Sequence, residues 1–343
     1  MKASIIIPVY NVADYIERCL LSVLNQTWEE LEVIVVNDCS PDNTMEVVDR
    51  VIHSHLRGGI ITCLTLASNQ GVSVARNTGI YHATGDYIYF LDGDDYLPFD
   101  SIATLSKAAI HDGFPDFVVG NHETVGYHNW ILPLSLPTCV IEGNESIFAA
   151  FVNDAWPITA CNRLVNRSFF QSNNLFFPKG ISRSEDEYQS FLIACVAQRM
   201  SVVNKITYYY VMRDSSVTHT YAPIEKLWHQ VEVIKRMYEI IVTNDSFKSN
   251  PLMFLYFERL KGRYYYGFLH YLDRHFHYRS YKVYRKKTYV TSFRTMVRWL
   301  PLKLIVVAVH YYLPLHVGYC YYKGLFWCKK QLITIKNRIS HEK

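Results

Sequence analysis

Asp92-Gly93-Asp94-Asp95 puts three carboxylates within four residues, directly after the apolar run from Tyr87 to Leu91. Carboxylates bunched at a strand end repel one another unless a cation sits among them. Mg²⁺ or Mn²⁺ takes one or two carboxylates and completes its shell with diphosphate oxygens and water. The plain alternative is an acidic turn capping the helix that follows. A second cluster, Asn37-Asp38-Cys39-Ser40-Pro41-Asp42-Asn43-Thr44, also follows an apolar run. A carboxylate there can accept a hydrogen bond from a nucleobase N–H, and neutral Asn and Ser suit ribose or base edges. Asn43 or Thr44 is equally placed to cap the next helix. A third cluster, Gly71-Val72-Ser73-Val74-Ala75-Arg76-Asn77, offers Arg76, whose guanidinium can reach a phosphate or brace the carboxylates. An ordinary surface salt bridge is its bland reading.

These clusters need a frame, and the apolar pattern supplies one. Ser4 to Val9, Leu31 to Val36 and Tyr87 to Leu91 are short apolar runs suited to buried parallel strands, and Ile60 to Leu66 reads as a further strand. Between the first two, Tyr15, Ile16, Cys19, Leu20, Val23 and Leu24 recur at helical spacing. A helix follows the Asp38 turn, and another opens over Asn69 to Arg76 with Gly71 near its start. Alternating strands and helices predict a parallel sheet with helices on both faces. Ligands of such sheets bind outside the carboxyl ends of the strands. Tyr10-Asn11, Asn37 to Ser40 and Asp92 to Asp95 all sit at those ends, so they are expected to share one crevice. Residues 115–215 are mixed, with strands near Val118-Val119-Gly120, Thr138 to Ile141 and Thr207 to Met212, and a helix over Glu185 to Ala197. From Pro223 the pattern is helical.

Charge divides the chain. Residues 1–250 carry 17 Lys/Arg against 28 Asp/Glu, whereas residues 251–343 carry 18 against 3. An acidic body with a basic, tyrosine-rich tail predicts chemistry in front and attachment behind. The eight cysteines form no C-x-x-C pair, which argues against a zinc site or a disulfide framework and for buried reduced thiols. The start, Met1-Lys2-Ala3-Ser4, runs straight into a strand and does not read as a signal peptide, so a cytoplasmic body is expected.

Taken together, the segments resemble glycosyltransferase family 2, of the GT-A fold. The resemblance runs through Ser4 to Asn11, Tyr15-Ile16, Cys19-Leu20, Ser22 to Thr27, the Asp38 turn, Gly71 to Gly79, and Gly85-Asp86-Tyr87 to Tyr96. Five weak signals in the right order make a specific match over residues 4–97. It implies a mostly parallel, Rossmann-like sheet flanked by helices, with a helical C-terminal extension. Residues 1–97 would bind a nucleotide sugar, residues 98–220 would face the acceptor, and residues 221–343 would form the extension. The resemblance assigns Pro8, Tyr10, Asn11, Asp38, Ser40, Arg76 and Asp92 to the donor, and Asp94 with Asp92 to Mn²⁺ or Mg²⁺. Where the family often has a second Asp and a Gly, this chain has Asn37 and Cys39.

A weaker likeness continues through Cys161 to Arg167, Glu185-Asp186-Glu187, and Tyr208 to Arg213 with Ser216-Val217-Thr218. It points to Asp186 as the base, with Glu185 next, and to Arg213 and His219 in a segment that closes over the donor. The bland reading of the acidic trio is that it complements a helix dipole. The implied activity is inverting transfer from a nucleoside-diphosphate sugar, UDP foremost, to a glycan or lipid-linked saccharide in surface polysaccharide, O-antigen or capsule assembly. The tail, with Lys303 and Lys323 bracketing Leu304 to Tyr322, suits helices in the interface of an anionic inner membrane face. A packed helical subdomain, with a homodimer, is the alternative. A nucleic-acid-binding protein leaves the strand-end carboxylates unexplained, so no nucleic acid partner is expected. A metal-dependent nucleotidyltransferase would carry a Gly-rich phosphate loop where Pro8-Val9-Tyr10-Asn11 stands. An inactive relative that only binds is the remaining rival.

Overall fold

Every residue of β1 (Ala3–Val9) is buried, because helices cover both faces of the sheet at its middle. The structure is a computed structural model, and it describes residues 1–126, 137–212 and 224–248 with short stretches within 250–257 and 309–324. After β1 come α1 (Ala13–Leu24), β2 (Leu31–Asn37), α2 (Thr44–Ser54), β3 (Ile61–Thr65), α3 (Val72–His82) and β4 (Tyr87–Phe90). The chain continues through α4 (Ser101–His111), β5 (Phe117–Gly126), β6 (Cys139–Glu142), α5 (Asn144–Val152), β7 (Arg163–Asn166) and α6 (Arg167–Ser172). It then forms α7 (Glu185–Val196) and β8 (Arg199–Met212).

The eight strands make one sheet in the order β3-β2-β1-β4-β7-β5-β8-β6. β3, β2, β1 and β4 run parallel, as alternating strand and helix predict. β7 breaks the pattern by lying antiparallel between β4 and β5. β8 is parallel to β5 and antiparallel to the edge strand β6. The expected strand over Thr207 to Met212 is thus the end of a longer one that starts at Arg199.

Close approach fixes where α3 lies. A Cβ added to Gly79 would stand 2.4 Å from Cγ2 of Ile6, which is fully buried in β1. Only a residue without a side chain lets the helix sit this deep. Ser73, Ala75, Arg76 and Asn77 of α3 are buried with it.

Two sequence expectations need correction. Asn43 stands at the N-cap of α2 but makes no side-chain cap bond. Asp42 does the bonding instead, accepting from Thr44 N at 3.3 Å and from Ala13 N, at the start of α1, at 3.0 Å. The described cysteines are all free, but they are not uniformly buried: Cys39, Cys63 and Cys320 are exposed.

The chain divides into two compact units, Met1–Thr220 and Tyr221–Lys343. The second opens with α8 (Ile224–Thr243) and α9 (Asp245–Lys248). Arg213, His219 and most of Leu304 to Tyr322 lie outside the described residues. No helix among the described residues is long and apolar enough to cross a membrane.

Candidate active site at the carboxyl edge of the sheet

Parallel pairing of β2, β1 and β4 puts the segments after all three on one edge, and hydrogen bonds knit them together. Asn11 N donates to Ser40 Oγ at 3.3 Å, and Asp38 N donates to Val9 O at 3.0 Å. Pro8 is buried in β1, while Tyr10 is 46% exposed and Asn11 is exposed beside it. Asn37 Oδ1 accepts from Ser40 N at 2.8 Å and closes the turn. Asp38 is 3% exposed and holds the next element: its oxygens accept from Gln70 N at 2.7 Å and Gly71 N at 2.8 Å. One acceptor direction is therefore spent on each oxygen, and a carboxylate has about four.

Arg76 is the hub. The surface reading fails, because the side chain is only 3% exposed. Nη2 meets Asp92 Oδ1 at 2.9 Å, while Nη1 meets Asp186 Oδ1 at 2.6 Å and Glu185 Oε1 at 3.6 Å. Its guanidinium lies 5.1 Å from the ring centroid of Phe177. Burial alone would lower its pKa, but Asp186 and Asp92 outweigh burial and hold it well above the ordinary value. The acidic turn after β4 and the first turn of α7, far apart in sequence, are thus tied to one cation.

The three carboxylates of the β4 turn take different environments. Asp92 and Asp94 are half-buried at the edge. Asp95 points inward, where Tyr208 Oη donates to Oδ2 at 2.5 Å and Val211 N donates to Oδ1 at 2.7 Å. Burial, then Asp94 and Asp92, push its carboxyl well above the usual range. Tyr208 Oη also accepts from Asp92 N at 3.4 Å, and Tyr96 and Tyr209 exchange two backbone bonds. The end of β8 therefore clamps the turn. Asp92 and Asp94 fit a cation shared with a diphosphate, since Mg²⁺ and Mn²⁺ need only one or two protein carboxylates. No group of three potential ligands occurs among the described residues, so substrate and water oxygens would complete the shell.

At the start of α7, Glu185 is the more enclosed carboxylate, with its side chain 13% exposed against 28% for Asp186. Burial, then the adjacent Asp186, push Glu185 up to about 7 in spite of Arg76. The fold therefore favours its protonated form. That preference stabilises fully below the ordinary value of 4.5 and is lost as pH rises through about 7. Glu185→Gln cannot ionise, so it is expected to match the wild type near pH 4 and to exceed it by about 1–3 kcal/mol at pH 8. A denaturant midpoint difference that does not widen between those pH values refutes this.

Among the described residues, seven non-glycine residues adopt positive φ, and four belong to this edge: Asn11 (54°), Cys39 (58°), Asn162 (60°) and Ser184 (64°). Such conformations cost about 1–3 kcal/mol each and gather where function over-determines the backbone. Asn162 is buried, donating to Gly120 O at 2.7 Å and accepting from Thr207 Oγ1 at 2.6 Å. Sequence reasoning had marked Asn162 and Tyr208 only as members of recognisable segments.

Comparison with known proteins bears on the family and the fold. A family described as "Glycosyl transferase family 2" matches residues 4–172. The chain is 31% identical over 238 residues to glycosyltransferase GlyA of Streptococcus pneumoniae, covering 66% of this chain and 33% of that protein. It is 30% identical over 223 residues to glycosyltransferase EpsJ of Bacillus subtilis, covering 63% of this chain and 62% of that one. The chain thus spans about a third of one relative and under two thirds of the other. Residues 1–349 of S. aureus TarS share the fold, with a TM-score of 0.69 at 18% identity over 96% of this chain and 92% of TarS. TarS is also known in complex with UDP-GlcNAc, with a TM-score of 0.58 at 21% identity over 77% of this chain and 81% of that one. On these grounds residues 4–172 form a glycosyltransferase family 2 domain, and the fold is GT-A.

Proposed function

We propose that this protein moves a sugar from a UDP-sugar to an acceptor hydroxyl with inversion, in the assembly of a surface polysaccharide. The observation that carries the reading is the bridge from Asp92 through Arg76 to Asp186, which unites a donor-side and an acceptor-side carboxylate. Residues 1–97 hold the donor. Pro8, Tyr10, Asn11, Asp38 and Ser40 line the nucleotide, and the free acceptor directions of Asp38 suit a nucleobase N–H. Asp92 and Asp94 hold Mn²⁺ or Mg²⁺, which supplies charge neutralisation of the departing diphosphate. Residues 98–220 present the acceptor.

Asp186 accepts the proton of the acceptor hydroxyl as its oxygen attacks the anomeric carbon. The new bond joins that oxygen to the carbon, the bond to the diphosphate breaks, and UDP leaves with the electron pair. Arg76 orients Asp186 and prevents it from turning away. Glu185, pushed up to about 7, is neutral while protonated, and in that state it neither adds a second negative charge beside Asp186 nor competes for the proton. The complex of TarS with UDP-GlcNAc supports the uridine reading.

The test is a donor screen. Purified protein with Mn²⁺ or Mg²⁺ is melted in the presence of UDP-, GDP- and dTDP-sugars, and slow donor hydrolysis is followed in parallel. Stabilisation by UDP-sugars that needs metal and is lost in Asp94→Ala is the expected result. Stabilisation by another nucleotide class overturns the uridine assignment, and no response to any donor overturns the transferase reading.

The basic segment 251–343 suits an acceptor carried on an anionic lipid surface at the cytoplasmic face, in a peripheral arrangement. Co-sedimentation with phosphatidylglycerol vesicles but not with phosphatidylcholine vesicles, weakened by salt, is expected. Equal binding to neither removes the membrane from the proposal.

A further inference from the structure

Arg163 is the first residue of β7 and is fully buried. A guanidinium in that position normally has a carboxylate beside it, because an uncompensated buried charge is costly. Among the described residues none lies within ion-pair distance of Arg163. Its Nη2 donates to Thr159 O at 2.6 Å, Ser190 Oγ at 2.9 Å and Gln189 Oε1 at 3.1 Å. Its Nε and Nη1 are buried with no hydrogen-bond acceptor. The guanidinium lies 5.3 Å from the ring centroid of Trp156. Burial lowers its pKa to about 10, with Asp186 the foremost charge working the other way.

The partners say what this charge is for. Gln189 and Ser190 belong to α7, and Ser190 lies four residues after Asp186, one turn along the same helical face. Ser190 Oγ also donates to Ile158 O at 2.6 Å, so the contact is fixed on both sides. Arg76 engages Asp186 directly at 2.6 Å. Asp186 therefore sits above one buried cation and against another. A Met or Leu at position 163 would remove the buried charge but leave Thr159 O, Gln189 Oε1 and Ser190 Oγ without this donor, so the two costs largely offset and stability alone is a poor explanation for an arginine there.

We propose that Arg163 is a positioning residue for the transfer reaction: by stapling β7 to α7 one turn below Asp186, it fixes the orientation of that carboxylate and the field at it. This rests on the reading of Asp186 as the base. Misplacing a reacting group by about 1 Å can cost about a hundredfold in rate.

The test compares full-length wild type, Arg163→Met and Arg163→Lys. Thermal melting, kcat with saturating acceptor, and donor KM are measured for each. For Arg163→Met the expected result is a melting temperature close to that of the wild type, since removing the buried charge offsets the acceptors left unpaired. Its kcat is expected about 10–100-fold lower, with donor KM within about twofold. Arg163→Lys, which keeps the charge, is expected to recover most of kcat. A folded Arg163→Met with unchanged kcat overturns the proposal. So does a loss of activity that only tracks a lowered melting temperature, the mark of a purely structural arginine. Should Arg163→Met fail to fold, Ser190→Ala carries the same split. Lowered kcat with unchanged donor KM and melting supports positioning, and unchanged kcat overturns it. A wild type that turns over no donor overturns the transferase reading and the proposal together, whereas an active wild type with a fully active Arg163→Met overturns the role of Arg163 alone.

Discussion

Asp186→Asn is expected to lower kcat for transfer by about 10²–10⁴-fold, the usual contribution of a positioned general base. The substitution keeps size and hydrogen bonding but removes the proton acceptor. Arg76 retains Asp92 at 2.9 Å and Glu185 at 3.6 Å, so the hub stays paired and the fold is expected to hold. Donor affinity is expected to change little, since Asp186 faces the acceptor in the proposed arrangement. Donor binding by thermal shift and acceptor turnover, measured on the same preparation, separate the two effects. A variant that binds donor and transfers at more than a tenth of the wild-type rate refutes Asp186 as the base. Glu185→Gln is the matching control: its loss of rate is expected to be smaller, because Glu185, pushed up to about 7, is already partly protonated at neutral pH.

The second large effect concerns stability. Arg76→Met removes the one cation that Asp92, Glu185 and Asp186 share, and leaves those carboxylates crowded against a buried helix. Breaking a buried ion pair from one side costs about 3–5 kcal/mol. The sign of the pH dependence follows. Without the cation Glu185, already pushed up to about 7 by burial and Asp186, loses the partner that lowers it, and the folded state favours its protonated form further. Stability is then retained at low pH and lost as pH increases. The gap between wild type and Arg76→Met is therefore expected to be small near pH 5 and to approach the full cost near pH 8. Urea denaturation at both pH values reads this out. A gap that is constant with pH would mean that Arg76 contributes packing on Phe177 rather than charge. Arg76→Lys is expected to recover part of the loss, since lysine keeps the charge but cannot reach three carboxylates with one planar fork.

Much of the fold was legible in the sequence because the physics there is local. Ile5 to Val9, Val33 to Val36 and Tyr87 to Leu91 are apolar runs, and only a strand covered on both faces buries such a run. The spacing from Tyr15 to Leu24 selects a helix, and strand-helix alternation then forces parallel order with the polar turns on one edge. Asp92, Asp94, Asp186 and Arg76 were identifiable one by one as groups with chemistry to offer.

The tertiary structure decided which of them meet. No local pattern tells Asp92 that Asp186, 94 positions later, will share its guanidinium, since that depends on β7 entering antiparallel between β4 and β5 and on Gly79 letting α3 sink onto Ile6. Nor does sequence separate Asp94 from Asp95: adjacent carboxylates in one turn differ only because Tyr208 and Val211 arrive from β8 to take the second. The buried Arg163 reads in sequence as one basic residue among many, and becomes unusual only when no carboxylate among the described residues pairs with it. Sequence determined the strands, the helices and the chemistry available, because propensity and apolar period act over a few residues. Pairing, burial and the shift of Glu185 to about 7 were decided by contacts between segments far apart in the chain, because electrostatic energy depends on distance and solvent exclusion that only the packed fold supplies.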